Sequence, residues 1–232
     1  MWIFGRGLKT KKRVYLNKMQ NFINILKTEL QKPLPGTEIQ WQMASSDRML
    51  KNFPRIPGSD AREAAILILL YPHNGSLSTV FMQRPDYDGV HSGQISFPGG
   101  KREVSDKNIV QTALRETYEE TGVDPSKISV INTLTPLFIP VSNIIVTPVI
   151  GWIKERPVFN HQPEEVVFLI EADIKRFLDP SIVKVKPFDI RGEMIEVKYY
   201  DYYGNVIWGA TAMIMNELLT IIRNSKLKSS WD

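Results

Sequence analysis

The chain has 232 residues, of which 43% are hydrophobic and 23% are charged, and its formal net charge is +4; this composition is ordinary for a globular protein with enough apolar residues for a core. No apolar run approaches the about 20 residues that a transmembrane helix needs, and the absence of cysteine excludes disulfides, thiolate metal sites and cysteine nucleophiles and fits a reducing, cytoplasmic environment. The basic excess gathers near the two ends without an interleaved basic and aromatic stripe, so we expect neither a nucleic acid nor a membrane as a partner.

Residues 1–60 are predicted to be an N-terminal extension made of a short helix and an irregular arm. Apolar residues recur at helical spacing within 17–31, and the sequence KPLPG at 32–36 ends the helix. Residues 1–18 are interpreted as an upstream segment, with Met19 as an alternative start. The extension can pack on the following domain or on a second copy of the chain in a homodimer.

Residues 61–232 are predicted to form one α/β domain, an α/β/α sandwich around a mixed sheet. Strand-length apolar or β-rich segments lie at 64–71, 78–84, 93–100, 128–140, 143–153, 165–170 and 194–202, the last forming a hairpin with 206–208. Helices are predicted at 106–121, 171–178 and 211–224. A central and a terminal helix among mixed strands favour helical layers on both faces of the sheet.

The helix predicted at 106–121 carries three glutamates. Ser105 or Asp106 can cap its start, and Gly122 can end it in a left-handed turn. Side chains suited to a buried face recur at spacings of three and four, namely Ile109, Val110, Ala113, Leu114 and Thr117. The opposite side carries Thr112, Arg115, Glu116, Glu119 and Glu120, and the carboxylates of Glu116 and Glu120 project along nearly the same line because they are one turn apart.

This glutamate cluster (Glu116, Glu119 and Glu120) is either a solvated helix face or a charged site, since acids one turn apart repel each other unless a positive group lies among them. Arg115, one turn before Glu119, can supply that charge. A divalent ion is the other source, because Mg²⁺ takes carboxylate oxygens and keeps several waters. The cluster lies near the end of the helix, where the helix dipole disfavours acids, and a glycine-rich turn precedes the helix, so the context favours a metal site.

The sequence RETYEETGV at 115–123 resembles the second half of the Nudix box, a glycine followed by five residues, a glutamate, seven residues and REUxEExGU, where U is apolar. The first half departs from this pattern. Gly100 precedes Arg115 by fifteen residues, one more than usual, and Asp106 stands where the earlier glutamate is expected. The resemblance implies a Nudix-type α/β/α fold, and it supports roles for the glutamate cluster more firmly than any role for Asp106.

The longer spacing and the preceding sequence HSGQISFPGGK at 91–101 resemble the coenzyme A pyrophosphatase branch of the Nudix family. Further similar stretches lie at 146–153, 163–174 and 207–218, so the resemblance covers about residues 60 to 222. It implies hydrolysis of the diphosphate of coenzyme A or acyl-coenzyme A to 3′,5′-ADP and 4′-phosphopantetheine or its acylated form. Two alternatives stay open: another nucleoside diphosphate derivative such as ADP-ribose, and a non-catalytic domain that binds a nucleotide.

The resemblance also implies roles for individual residues. The glutamate cluster would bind Mg²⁺ or Mn²⁺, with the carbonyl oxygen of Gly100 as a further ligand, and Arg115 would orient Glu119. The general base would be a helix glutamate or an acid of the 163–165 loop, Glu164 or Glu165, for which a solvated loop is the alternative. The candidate substrate contacts are Arg84, His91, Gly99, Gly100 and Lys101, and His91 can instead be a hydrogen-bonded residue that stabilises its turn.

Overall fold

The computed structural model describes residues 4–46, 56–88, 91–190, 192–225 and 227. The helices are α1 (Phe4–Glu29), α2 (Thr37–Trp41), α3 (Ile109–Thr121), α4 (Ile174–Phe177) and α5 (Gly209–Asn224). The strands are β1 (Arg62–His73), β2 (Ser76–Gln83), β3 (Ile95–Ser96), β4 (Gly99–Lys101), β5 (Ser129–Thr133), β6 (Leu137–Ile139), β7 (Ile144–Trp152), β8 (Phe168–Asp173), β9 (Val183–Ile190), β10 (Glu193–Tyr202) and β11 (Asn205–Trp208). No described helix is both long and apolar enough to cross a membrane.

Strand β1 is the centre of the main sheet. It is a nearly continuous apolar run that is buried on both faces, as expected of a strand covered on both sides. It pairs in parallel with β7 and antiparallel with β4 and β2. Strands β5 and β6 flank β7, whereas β3 and β8 flank β2, so the sheet is mixed. A second, antiparallel sheet has the order β11–β10–β9.

Alternate side chains of β1 enter two separate cores, one on each face of the sheet. Ala65, Leu67 and Leu69 pack in the core that includes Ala113 of α3. The intervening residues, including Ile68, pack in a larger core shared with α1, α2, α5 and the second sheet. This arrangement confirms the predicted α/β/α sandwich.

The N-terminal extension shares the larger of these cores. Phe22, Ile23 and Leu26 of α1 are fully buried in it. A buried carboxylate on α5, that of Glu217, accepts hydrogen bonds from the backbone N–H of Gly36 and from the side chains of Gln40 and Thr135, which ties the segment around α2 to the domain. The homodimer stays a prediction.

Several predicted elements have different bounds. Helix α1 begins at residue 4, before the predicted start at 17, and α2 occupies the start of the predicted irregular arm at 37–61, whose residues 47–55 lie outside the described ranges. The helix predicted at 171–178 is wrong over its first half, because β8 pairs with β2 as far as Asp173, which then caps the short α4. Strand β9, an exposed edge strand next to β10, was not predicted.

Candidate active site

Helix α3 turns its glutamates toward β4. The predicted cap is wrong: the helix begins after Asn108, whose side chain accepts a hydrogen bond from the N–H of Gln111 at 3.0 Å, so neither Ser105 nor Asp106 caps it. Gly122 ends the helix at φ 72°, as predicted. The side of α3 opposite the predicted buried face was expected to be exposed, which is wrong at two positions, because Thr112 and Glu120 are buried. On the same side, Glu116 is half-buried and Glu119 is exposed.

Two glycines of β4 allow the acids to reach the strand. The N–H of Gly99 donates to Oε2 of Glu120 at 2.7 Å. Gly99 has φ 149°, and a Cβ atom there would overlap the carbonyl oxygen of Ala65. A Cβ atom on Gly100 would overlap the carboxylate of Glu116. A larger residue at position 99 would therefore push β4 away from β1, and one at position 100 would displace Glu116 from the strand.

Burial raises the pKa of two of these acids. It raises the pKa of Glu120 to about 8, with Arg84 and the Gly99 N–H acting in the opposite direction and the charges of Glu116 and Glu165 adding to the rise. Burial also raises the pKa of Glu116, against the stabilising charge of Arg115. The cluster therefore places carboxylates where their negative charge is poorly solvated, and a bound cation would offset that cost.

Arg115 is fixed by Asp106 and in turn holds two glutamates. Its Nε and Nη2 atoms donate to the two oxygens of Asp106 at 3.1 and 3.0 Å, and its Nη1 donates to Glu116 at 3.0 Å and Glu119 at 2.9 Å. The carboxylate of Asp106 is 1% exposed, and its hydrogen bonds with Arg115 hold its pKa well below the usual range. Asp106 is thus the buried counter-ion of Arg115, a role that the sequence did not reveal.

The donor chemistry of the glutamate cluster fits a hard divalent ion. All its donors are carboxylate oxygens, and the Gly100 backbone lies against Glu116, which suits Mg²⁺ or Mn²⁺. Among the described residues, no three acids or histidines already surround one point; the Arg115 guanidinium lies between the carboxylates of Glu116 and Glu119. An ion would have to take over contacts that Arg115 now makes.

A cavity of about 430 Å³ borders the same strand and is lined by all the candidate substrate contacts, Arg84, His91, Gly99, Gly100 and Lys101. Arg84 connects it to the acids, since its Nη2 atom donates to the Gly99 carbonyl at 3.1 Å and lies 4.0 Å from Glu120. His91 has φ 71°, and its Nδ1 atom lies 3.2 Å from Oε1 of Gln94, which also lines the cavity. His91 thus contacts its turn and faces the cavity, so both of its predicted roles stay open.

Most of the remaining cavity wall is apolar. It includes Ile139 and Ile144 at the junction of β6 and β7, and Ile214 on α5. The cavity therefore combines cationic groups near the glycines with an apolar wall, the usual combination in a small-molecule site.

The loop that carries Glu164 and Glu165 is attached to the end of α3. The N–H of Asn160 donates to the Thr121 carbonyl at 2.8 Å, and Gly122 leaves room for this contact. Both acids are exposed, and the charge of Glu165 contributes to the raised pKa of Glu120. The loop therefore brings the charge of Glu165 close enough to act on Glu120.

Comparisons with known proteins agree with this architecture. A family model described as the NUDIX domain matches residues 61–178. One relative is Nudix hydrolase 22, chloroplastic, of Arabidopsis thaliana, which is 36% identical over 69% of this chain and 55% of that protein. Another is Nudix hydrolase 15, mitochondrial, of the same plant, which is 35% identical over 66% of this chain and 56% of that protein. The chain thus spans about half the length of these two plant proteins.

A bacterial relative is covered more fully. The uncharacterized Nudix hydrolase NudL of Pectobacterium atrosepticum is 33% identical over 70% of this chain and 83% of that protein. Among solved structures, the Nudix hydrolase RenU of M. smegmatis superposes with a TM-score of 0.51 at 15% identity, over 74% of this chain and 95% of that one. At that identity, the structural likeness supports the fold alone.

Proposed function

Because the chain belongs to the Nudix family, we propose that it is a metal-dependent diphosphate hydrolase and that its substrate is coenzyme A or an acyl-coenzyme A. The observation that carries this proposal is the position of β4. The glutamate cluster contacts the Gly99–Gly100 backbone, and the same backbone forms part of the cavity wall. A diphosphate bound at this strand would lie beside both the acids and the cationic groups of the cavity.

The glutamate cluster would hold Mg²⁺ or Mn²⁺, with the Gly100 carbonyl as a further ligand, and the bound ion would supply charge neutralisation and a more acidic water. The protein's own groups organise this site. The Gly99 N–H fixes Glu120, and Arg115 restrains Glu116 and Glu119. Arg84 would neutralise charge on the diphosphate.

Hydrolysis requires a water molecule to attack one phosphorus atom of the diphosphate. A new P–O bond forms with the water oxygen, the bond from that phosphorus to the bridging oxygen breaks, and the bridging oxygen leaves with the other phosphate. We assign the proton acceptor to Glu165, because it is exposed and its charge acts on Glu120. The products are 3′,5′-ADP and 4′-phosphopantetheine, or its acylated form.

The coenzyme A assignment draws support from the sequence HSGQISFPGGK and from the make-up of the cavity. The cavity is lined by residues of this stretch, namely His91, Gln94, Ser96, Phe97, Gly99, Gly100 and Lys101. The apolar wall suits a pantetheine arm, whereas the cations suit phosphates. The cytoplasmic location also stays a proposal.

Product analysis tests the proposed reaction. The purified protein is incubated with coenzyme A, acetyl-coenzyme A and ADP-ribose in the presence of Mg²⁺ or Mn²⁺, and the products are separated and identified. We expect 3′,5′-ADP from the two coenzyme A substrates, and loss of at least 100-fold in turnover when Glu119 and Glu120 are replaced by glutamine. Faster cleavage of ADP-ribose would favour that alternative substrate, and unchanged turnover in the double variant would exclude the metal role.

A further inference from the structure

We propose that Arg62 and Lys101 form a second anion subsite in the cavity, which binds the phosphate at the 3′ position of the ribose. The inference rests on the proposed function and specifies which feature of the substrate the cavity selects. Both side chains line the cavity, and neither is a member of the glutamate cluster.

The register of β1 and β4 places these two cations on one side of the sheet. Lys101 is the partner of Ala64, and Arg62 lies two residues before Ala64, so all three side chains project from the same face. Gly100 is the partner of Ala65, three residues along β1 from Arg62. At 3.2–3.4 Å per residue, the backbone of Arg62 therefore lies about 10 Å from the glycine backbone where the diphosphate is proposed to bind.

The charges of Arg62 and Lys101 are not neutralised by the part of the chain that the structure describes. Arg62 is held on the cavity wall because its Nη2 atom donates to the carbonyl of Ser142 at 2.9 Å. Within the described ranges, neither Arg62 nor Lys101 has a carboxylate partner. Arg102, the next residue along β4, differs in this respect, since its Nη1 atom lies 2.6 Å from Oε2 of Glu63, and it does not line the cavity.

Two uncompensated cations beside a cavity attract an anion, and a phosphate monoester is the anion that coenzyme A offers there. Its 3′-phosphate is joined to the diphosphate through a single ribose. Arginine and lysine are the usual phosphate ligands, the first through paired N–H donors and the second as a point charge. ADP-ribose carries no such group, so this subsite would separate the two candidate substrates.

The experiment compares coenzyme A with 3′-dephospho-coenzyme A as substrates of the wild type, Arg62→Gln and the matched control Arg102→Gln. We expect the wild type to prefer coenzyme A, and Arg62→Gln to lower kcat/KM for coenzyme A about 10-fold or more, mainly through KM, because a charge-assisted hydrogen bond is lost. In the same variant, kcat/KM for 3′-dephospho-coenzyme A should stay within about 2-fold of the wild-type value. In the control Arg102→Gln, kcat/KM for both substrates should stay within about 2-fold.

Equal losses on both substrates in Arg62→Gln would overturn the subsite but leave the proposed hydrolysis intact. If the wild type cleaves neither substrate, the proposed function fails, and the subsite is then tested by calorimetry with 3′,5′-ADP and 5′-AMP in EDTA. Tighter binding of 3′,5′-ADP by the wild type, abolished in Arg62→Gln, supports the subsite. Equal binding of the two nucleotides by the wild type overturns it.

Discussion

At the scale of single residues, Asp106 and Arg115 fix the geometry on which the glutamate cluster depends. We predict that Asp106→Asn lowers the free energy of unfolding by about 2 kcal/mol at pH 7, because a nearly inaccessible carboxylate that pairs with a guanidinium is lost. The folded-state pKa of Asp106 is below its ordinary value, so its contribution is complete above the ordinary pKa of about 3.9 and is lost as pH falls below it. Urea unfolding of the wild type and the variant between pH 7 and pH 3 measures the difference in their free energies of unfolding. A difference that does not become smaller as the pH falls would contradict this role of Asp106.

Glu120 is expected to affect stability in the opposite direction from Asp106. Its pKa in the folded state is raised to about 8, whereas in the unfolded chain it releases its proton near about 4.3. Between these two pH values the folded state binds more protons than the unfolded state. In EDTA, the free energy of unfolding of the wild type should therefore decrease as pH rises from about 4.5 to above 8. We predict that Glu120→Gln reduces this loss of stability with pH and is more stable than the wild type at about pH 8.5, by on the order of 2 kcal/mol.

The same Glu120→Gln variant separates function from folding. Chemical denaturation in EDTA gives its stability, and cleavage of coenzyme A gives its activity, which we expect to fall at least 100-fold. Adding Mg²⁺ should raise the melting temperature of the wild type more than that of the variant, because a ligand stabilises the state that binds it. A variant that is both active and as pH-sensitive as the wild type would exclude this account of Glu120.

The sequence predicted the convergence of the three glutamates because helical periodicity alone determines it. It could not predict that Glu120 is buried, since that depends on the contact with Gly99, twenty-one residues earlier in the chain. The pairing of Asp106 with Arg115 was missed for a similar reason, because Asp106 precedes the helix and no periodic pattern connects the two.

At the scale of elements, the loop after β7 is positioned by the turn that ends α3. A Cβ atom on Gly122 would lie 2.8 Å from the carbonyl oxygen of Asn160. We therefore predict that Gly122→Ala displaces the loop that carries Glu165, lowering kcat at least 10-fold and the free energy of unfolding by about 2–3 kcal/mol. Steady-state kinetics and urea unfolding measure the two effects.

Gly204 provides a matched control for this substitution. It also has a positive φ, 86°, but a Cβ atom added there would meet no atom of the described residues within 4 Å. Gly204→Ala should therefore cost only the backbone strain, about 1 kcal/mol, with kcat unchanged. Equal effects of the two substitutions on kcat would show that the contact between Gly122 and Asn160 does not position the loop.

The elements predicted most closely are those with a strong local signal. Strand β1 is a long apolar run and α5 is strongly periodic, and both lie within two residues of their predicted bounds. Strand β9 was missed because its exposed residues, including two lysines, resemble a loop in composition and are held in the strand by pairing with β10. The helix at 171–178 was overestimated because pairing with β2 outweighs the helical preference of Glu171 and Ala172.

At the scale of the whole molecule, the extension contributes to the stability of the domain. Phe22 is fully buried in the core shared by α1 and α5. We predict that Phe22→Ala lowers the free energy of unfolding by about 4 kcal/mol, since it leaves a cavity in that core. Val14 on the same helix is 53% exposed, and Val14→Ala should change stability by less than about 0.5 kcal/mol. Similar values for the two variants, measured by urea unfolding, would mean that α1 does not share the core.

Because β4 lies between the glutamate cluster and the cavity, the cavity wall and the acids are built from separate elements. Ile139 and Ile214 shape the cavity from β6 and α5, whereas the glutamate cluster lies on α3. Substitutions at these two isoleucines should therefore change which ligands the cavity accepts while the glutamate cluster keeps its place. Variation among natural descendants of this chain would follow the same division, with the cavity wall free to diverge and the two glycines of β4 held constant.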